Sequence, residues 1–470
     1  MTNSVPTEPP ESAERPLVRA LTLIPATAII LANVIGTGVF VKARVMIVNV
    51  GTPGMVLLVW ICAGLLTLTG ALVYAELSTM MPRSGGAINF LGAAYGRRWA
   101  YLYGWTYSVS IGASIAAVAI LFITFLNDLL GGAIPPWALK ALPVVAIVVA
   151  TGLNLATVRS TGRIATALTF VKVAIVLSVG IGAFLLADGS WEHFSLSAVG
   201  DVGQDIPESA RLGVRGFGAA MLGALWGYNG WAIITSLGGE VKDPARTLPR
   251  TMVGGTMVVI ALYLLINAAY FFVLTPMEVG NLPQGQSVAN ATVLRFAGKS
   301  AAAVMSAGLV ISAYGTLHTS LLVGSRIPFA LARKGLMPAG LGLVSSRNVP
   351  AIAVLAIGAW SLVLALSGTF DILTDIYIFV MWIFYGMTCS AVFVLRRKQP
   401  DAERPYRMWG YPVVPAVFLA VTMFLLVNTF IATPGRAMSG FLMVIAGLPV
   451  YAYYSRRLPP EEPRAWLGHD

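Results

Sequence analysis

"NVIGTGVF", residues 33–40, lies inside an apolar run that extends from about residue 22 to about residue 48, long enough to cross a bilayer. Gly36, Thr37 and Gly38 fall near its middle. Glycine is the poorest helix former after proline, and the hydrocarbon core holds no water to satisfy a peptide group that loses its partner. Close helix packing is one use for small residues at this depth. The other is a helix that stops there and turns its backbone toward a ligand.

The composition sets the broad class. Hydrophobic residues make up 57% of the chain and charged residues 11%, against roughly a quarter charged in soluble domains. About twelve segments reach spanning length, near 22–48, 54–80, 99–127, 137–156, 163–187, 214–239, 251–275, 300–330, 350–368, 372–395, 411–432 and 437–454. Alternating strand-length segments are absent, which argues against a β-barrel. The chain reads as an all-α integral membrane protein. Its first residues, "MTNSVPTEPPESAERP", are polar and rich in Pro and Glu. They predict a disordered tail over residues 1–20 and do not resemble a signal peptide.

Charge gives an orientation. With a cytoplasmic N-terminus, most of the 31 Lys and Arg residues fall in inside loops, among them Arg97, Arg98, Arg333, Lys334 and Arg396 to Lys398. The loop 188–213 is instead mostly acidic, with Asp188, Glu192, Asp201, Asp205 and Glu208. The positive-inside rule then places both termini, including the tail 456–470, in the cytoplasm. The net charge of +11 reads as topology rather than nucleic-acid binding, since the basic residues are spread over short loops. Cys62 and Cys389 both lie in apolar segments, so neither an outer disulfide nor a zinc motif is expected. No metal or cofactor is expected either.

A second irregular stretch, "ALWGYNGWAII" (224–234), again breaks an apolar run with Gly227, Asn229 and Gly230. Each break falls about 15 residues into its segment, and each broken segment opens a set of five. The reading is one half over 21–187, an extracellular loop over 188–213, a second half over 214–395, two further spans over 396–455 and the final tail. An odd number of spans inverts one half relative to the other, and interrupted helices in matching places point to the site.

The chemistry follows from bare peptide groups. A helix starting near Thr37 offers unpaired N–H groups, the positive end of its dipole and the Thr37 hydroxyl to a carboxylate. Carbonyls released at Val34, Trp226 and Asn229 accept from an ammonium. The pair of breaks therefore suits an α-amino acid without any charged side chain. No charged residue is clearly placed to meet a substrate side chain, which favours neutral amino acids.

At these residues the chain resembles the amino acid–polyamine–organocation superfamily, and within it the L-type amino acid transporter light chains and their bacterial relatives. The resemblance covers roughly residues 20–455. It rests on "VIGTGVF", on "GTPGMVLLVWICAGLLTLTGALVYAELSTMMPRSGG" (51–86), on "ALWGYNGWAIITSLGGEVKDPARTLPR" (224–250) and on "SAYGTLHTSLLVGSRIPFALARKGLMP" (312–338). It implies a LeuT-type fold, a 5+5 inverted repeat plus two C-terminal helices, with 12 transmembrane helices moving amino acids by alternating access. By position, Thr37 and Gly38 match the carboxylate-binding turn. Val34, Trp226 and Asn229 match positions that offer carbonyls to the amine, and Trp226 also the aromatic that closes the site outward; Gly36 and Gly230, the glycines of the two breaks, complete the expected substrate site. Some relatives carry an Asn after the next Trp, where this chain has Trp231-Ala232. The light chains join a heavy chain through a Cys between their third and fourth helices. The corresponding "LLGGAIPPWALK" (129–140) has none, so no disulfide-linked heavy chain is expected, and the chain reads as a monomer or weak homodimer. Dense small residues and the lack of long tails suggest a prokaryotic inner membrane.

Lys172 reads as the only Lys or Arg deep in an apolar segment, ~15 Å from the nearer end of its helix. An ionisable group there is a functional candidate; a structural cation capped by carbonyls is the alternative. In related transporters a Lys in this region stands where sodium-coupled relatives bind Na⁺. The resemblance therefore implies that Lys172 touches backbone near Gly36 and the hydroxyl of Ser320, and that transport needs no sodium. Glu76 is expected to pair with Arg83 or another loop cation, and Arg326 with carboxylates such as Glu240. His318 is expected as a packing residue, and Asp371 and Asp375 at an outer helix start. The leading expectation is sodium-independent exchange or facilitated flux of neutral L-amino acids. A proton-coupled symporter of the same fold is the alternative, although no acidic residue lies squarely at mid-membrane. A polytopic membrane enzyme is remote, because no HExxH or G-x-S-x-G arrangement occurs, and no channel-type selectivity ring is visible.

Overall fold

The computed structural model describes residues 19, 21–83, 85–156, 161–200, 202–346 and 349–458, with the side chains of 156–169 left aside. The expected tails therefore fall almost wholly outside the described residues. Among those residues the only extended pairing is an isolated parallel bridge between Leu21 and Val241. The helices are α1 (Leu23–Val34), α2 (Gly38–Val50), α3 (Pro53–Met80), α4 (Ala87–Tyr95), α5 (Arg97–Leu129), α6 (Pro136–Ala156), α7 (Thr161–Leu186), α8 (Gly213–Tyr228) and α9 (Pro244–Val273). They continue with α10 (Pro276–Gly280), α11 (Val288–Gly324), α12 (Arg326–Arg333), α13 (Ala351–Ser367), α14 (Phe370–Lys398), α15 (Val413–Ala432), α16 (Pro434–Ile445) and α17 (Gly447–Ser455).

Among the described residues, 8 helices are long and apolar enough to cross a membrane, or 9 if the bent pair α1 and α2 is one span. The other three of the expected set, α7, α8 and α13, fall short of that test as described. The boundaries follow local chemistry. Gly51 ends α2 at φ 82°, a left-handed conformation that costs glycine nothing. Thr52 then caps α3 by accepting the Met55 N–H, with Pro53 in the first turn.

Two expectations about the breaks are refined. The segment 214–239 does not resume as an α-helix. After Tyr228 it continues as 3-10 turns at Ile233–Ser236 and Gly238–Glu240. Ile233, Ile234 and Thr235 are β-branched and paired glycines follow, a poor sequence for an α-helix. The last span is also split, by Ala446 between α16 and α17.

Packing brings the two broken elements together. α2 lies on α8, and α1 on α9. Between them Trp60 of α3 packs edge-on against Tyr228 and Tyr263, at centroid distances of 5.7 and 5.0 Å. The segment after the second break is stitched to its surroundings through backbone. Leu21 N–H donates to the Glu240 carbonyl at 2.9 Å, Lys242 N–H to that of Leu21 at 2.9 Å, and Gly85 N–H to that of Ser236 at 3.2 Å. Close by, buried Glu76 accepts two bonds from Arg396 at 2.9 and 2.7 Å and the Met408 N–H at 2.8 Å, with Arg404 3.7 Å away. Its cation partners thus include Arg396 in the last turn of α14 and Arg404 in the loop that follows, the second of the two expected alternatives, a loop cation other than Arg83.

Candidate functional site

The first break is an inverse γ-turn. Ile35 sits at φ −72° and ψ 77°, and Gly36 N–H donates to the Val34 carbonyl at 2.7 Å. α2 then begins at Gly38 with no side-chain cap, although Thr37 occupies the cap position. Among the described residues the N–H groups of Thr37, Gly38 and Val39 meet no acceptor, the usual condition of an uncapped helix start. They sit at the positive end of the α2 dipole.

Gly38 is required by the approach of the second break. A Cβ there would lie 2.7 Å from Trp226 Cδ1 and 3.1 Å from Gly227 Cα. α8 ends at Tyr228, Asn229 is extended, and Gly230 adopts φ 108° with Asn33 backbone 3.0 Å from its would-be Cβ. The predicted residues Val34, Gly36, Thr37, Gly38, Trp226, Asn229 and Gly230 thus belong to two adjoining turns.

Their polar groups are already partly used. Tyr263 Oη of α9 lies 2.7 Å from both the Val34 and the Gly227 carbonyls, so one proton serves two acceptors. Val34 therefore does not present a bare carbonyl: Gly36 N–H and Tyr263 occupy it. The Trp226 carbonyl accepts the Asn229 N–H at 3.1 Å. The Asn229 side chain donates to Tyr377 Oη at 3.3 Å and accepts from Tyr385 Oη at 3.2 Å, both on α14. Sequence reasoning missed Tyr263, Tyr377 and Tyr385, because hydroxyls inside long apolar helices carry no local signal. It also passed over Asn33, whose carbonyl receives no bond among the described residues and whose side chain is exposed.

Lys172 on α7 is buried, 5% exposed. Its Nζ donates to the Ala32 carbonyl at 3.1 Å and to Thr316 Oγ1 at 3.1 Å. The expected contact with Ser320 is corrected to Thr316, one turn earlier on α11, and the backbone contact falls at Ala32, one turn before Gly36. The lysine stem reaches across the last turn of α1 rather than up to the break itself.

Lys172 is not the only buried cation. Lys42 and Arg44 of α2 are 1% and 6% exposed, a correction to the reading of Lys172 as the only Lys or Arg deep in an apolar segment. Lys42 Nζ pairs with Asp371 at 2.7 Å, donates to Thr374 at 2.8 Å and sits 4.5 Å from the Phe370 ring centroid. Phe370 and Tyr377 in turn pack edge-on against Trp226, at 6.1 and 5.6 Å. Arg44 forks onto Asp205 at 3.0 and 2.6 Å, and Asp375 pairs with Arg436. These ion pairs surround a cavity of ≈ 40 Å³, room for a few waters. Asp371 does stand in the first turn of α14, but its main partner is Lys42 rather than the helix dipole.

Burial is lopsided about the breaks. Every residue of α2 except Val45 is buried, whereas Thr22 to Pro25 and Asn33 on the α1 side are exposed. Buried residues of α2 pack over Trp226, itself 8% exposed, and the exposed side chains lie on the α1 side. Elsewhere, His318 packs as expected, with Asn154 Nδ2 3.1 Å from its Nδ1 and 3.2 Å from its carbonyl. Arg326 is exposed and makes no ion pair with Glu240 among the described residues. Cys62 and Cys389 are free thiols.

Comparison with known proteins fits this geometry. A family model described as "Amino acid permease" matches residues 21–453. The chain belongs to that family. It is 31% identical over 450 residues to the serine/threonine exchanger SteT of Bacillus subtilis (strain 168), covering 94% of this chain and 98% of that protein. It is 30% identical over 445 residues to the b(0,+)-type amino acid transporter 1 of Homo sapiens, covering 93% and 88%. The cystine/glutamate transporter of Homo sapiens is 28% identical over 449 residues, covering 94% and 87%. As an amino acid permease this chain is a multi-pass membrane transporter of amino acids, not an enzyme.

Proposed function

We infer that this permease exchanges neutral L-amino acids, or passes them down their gradient, without sodium and by alternating access. The observation that carries the reading is the Lys172 ammonium, held by the Ala32 carbonyl and the Thr316 hydroxyl between α1 and α11. A fixed positive charge at that junction can hold the two helices together as a bound cation would, and it disfavours a second cation beside it.

In this reading the substrate carboxylate takes the N–H groups of Thr37, Gly38 and Val39, and the ammonium takes the Asn33 carbonyl and the region of Trp226 and Asn229. Tyr263 yields Val34 when its proton turns to Gly227. Trp226 covers the occupied site from the α2 side. Neutral substrates are favoured because the cations near the breaks, Lys42 and Lys172, are each engaged by protein groups. The relative named as a serine/threonine exchanger supports exchange, and the b(0,+)-type amino acid transporter supports amino acids as the substrate class. The proposal includes twelve spans in two inverted sets of five plus two, cytoplasmic termini, and a monomer or weak homodimer in the inner membrane.

The test is uptake of labelled serine, leucine and glutamate into proteoliposomes preloaded with unlabelled amino acid, with external sodium replaced by choline. Undiminished uptake of a neutral amino acid, stimulated by internal substrate, is the expected result. Loss of uptake in choline overturns sodium independence, and preference for glutamate overturns the neutral assignment.

A further inference from the structure

The last span ends in a feature that substrate binding does not use. α16 and α17 part at Ala446, and Gly447 lets Trp105 of α5 into the joint: a Cβ on Gly447 would lie 2.6 Å from Trp105 Cδ1. Trp105 Nε1 takes the Met443 carbonyl at 2.9 Å. The wedge sets α17 off from the start of α5 and leaves a groove of ≈ 530 Å³ between them. Leu448, Pro449 and Ala452 give it an apolar floor, and Arg98, Ser455 and Arg456 stand among its lining residues. Arg98 and Arg456 are exposed, and neither forms an ion pair among the described residues.

We propose that this groove binds an anionic phospholipid, its phosphate between Arg98 and Arg456 and an acyl chain along Leu448, Pro449 and Ala452. Guanidinium forks match phosphate oxygens in pairs, and an apolar floor beside them matches a lipid rather than a free anion. Among the described residues the groove is lined by no Asp or Glu that could receive the amine of a zwitterionic headgroup, so the complementarity is to net negative charge. Its depth agrees with that occupant. Trp99 and Tyr453 nearby are 37% and 54% exposed, the amphipathic aromatics expected at headgroup level. The basic bias of this face assigns it to the leaflet where anionic lipids draw Lys and Arg.

Native mass spectrometry of the delipidated full chain, titrated with phosphatidylglycerol, phosphatidylcholine or phosphatidylglycerol plus millimolar inorganic phosphate, tests the assignment. Each basic side chain near an anionic headgroup contributes about fivefold, so two give a preference for phosphatidylglycerol of roughly thirtyfold. The double variant Arg98→Ala/Arg456→Ala is expected to lose that preference at an unchanged melting temperature, since both side chains are exposed. The double lysine variant keeps part of it. Arg407→Ala, an exposed arginine outside the groove, keeps all of it. Equal binding of the two lipids by the parent protein overturns the proposal. So does undiminished preference in the double alanine variant, or equal loss in Arg407→Ala, which marks diffuse charge. Displacement by inorganic phosphate overturns the lipid as occupant in favour of a free anion.

Discussion

Removing the Lys42 charge should open the permease on the α2 side. Lys42 is 1% exposed and Asp371 13%, and their 2.7 Å contact joins α2 to the start of α14 directly above Trp226. Leaving one partner of a buried pair uncompensated costs about 3–5 kcal/mol. Asp371 keeps some water, so the lower end, discounted to about 2 kcal/mol, is the working figure. That cost falls on the shut state alone, because an open vestibule hydrates the carboxylate. The ratio of shut to open molecules then drops roughly thirtyfold.

The assay places a reporter in the cavity. Ala219 of α8 lines it, so Ala219→Cys is made in a chain whose Cys62 and Cys389 are replaced by Ala. A membrane-impermeant maleimide added from the α2 side reads the open fraction. Lys42→Met is expected to raise the initial labelling rate toward thirtyfold. The double variant Lys42→Met/Asp371→Leu removes both charges and should label near the parent rate, since an apolar replacement of a buried pair is often neutral. Parent-like labelling in Lys42→Met alone refutes the reasoning.

Other substitutions probe the rest of the site. Lys172→Ala is expected to slow turnover or raise the apparent KM from one membrane side only, while Ser320→Ala, which leaves both Lys172 bonds in place, should be silent in the same two-sided flux assay. Gly38→Ala forces a methyl to 2.7 Å from Trp226; overpacking of about 1–3 kcal/mol should lower the melting temperature in detergent and suppress counterflow. Glu76→Gln strands Arg396 and Arg404 at a buried site and should cost about 3 kcal/mol by denaturant titration. The Asp205 carboxyl is held below the usual range, first by its hydrogen bonds with Arg44, against burial that raises it. A depressed carboxyl stabilises above its unfolded pKa and loses that only as pH falls through the folded value. The contribution of Asp205 to melting temperature should therefore be full and independent of pH above about pH 5, and the difference from Asp205→Asn should shrink only in more acidic buffer.

The breaks were legible in sequence because glycine in a long apolar run is a strong local signal. Gly36 to Gly38 and Gly227 to Gly230 mark them to within a residue or two. The 3-10 course after Tyr228 was less so, because "WAIITSLGG" is as apolar as a span and hydropathy does not register geometry. Lys172 was conspicuous among Val and Ile, yet its partner was placed one turn late, since helix register between α7 and α11 is fixed by tertiary packing. Lys42 and Arg44 were masked by their own context. They sit inside a run that otherwise reads as apolar, and only the fold brings Asp371 and Asp205, hundreds and scores of positions away, to meet them.

The use of backbone groups at the first break is unequal, and the inequality bears on the order of binding. In the last turn of α1 the carbonyls of Leu31, Ala32 and Val34 are met by Ile35, Lys172, and Gly36 with Tyr263; among the described residues that of Asn33 meets no donor. The N–H groups at the head of α2 meet nothing among the described residues. Protein groups thus meet most of the negative end of α1 and leave the positive end of α2 unmet. Such a site attracts an anion first and needs an internal bond, Tyr263 to Val34, to switch before it grips a cation fully. Tyr263→Phe removes that donor from both carbonyls, leaving that of Val34 with the Gly36 N–H alone. The variant should bind amino acid methyl esters, which keep the ammonium and lose the carboxylate charge, more tightly relative to free amino acids than the parent does. Competition of esters against labelled substrate measures the ratio. An unchanged ratio would mean that the hydroxyl has no share in the balance between the two ends of the substrate.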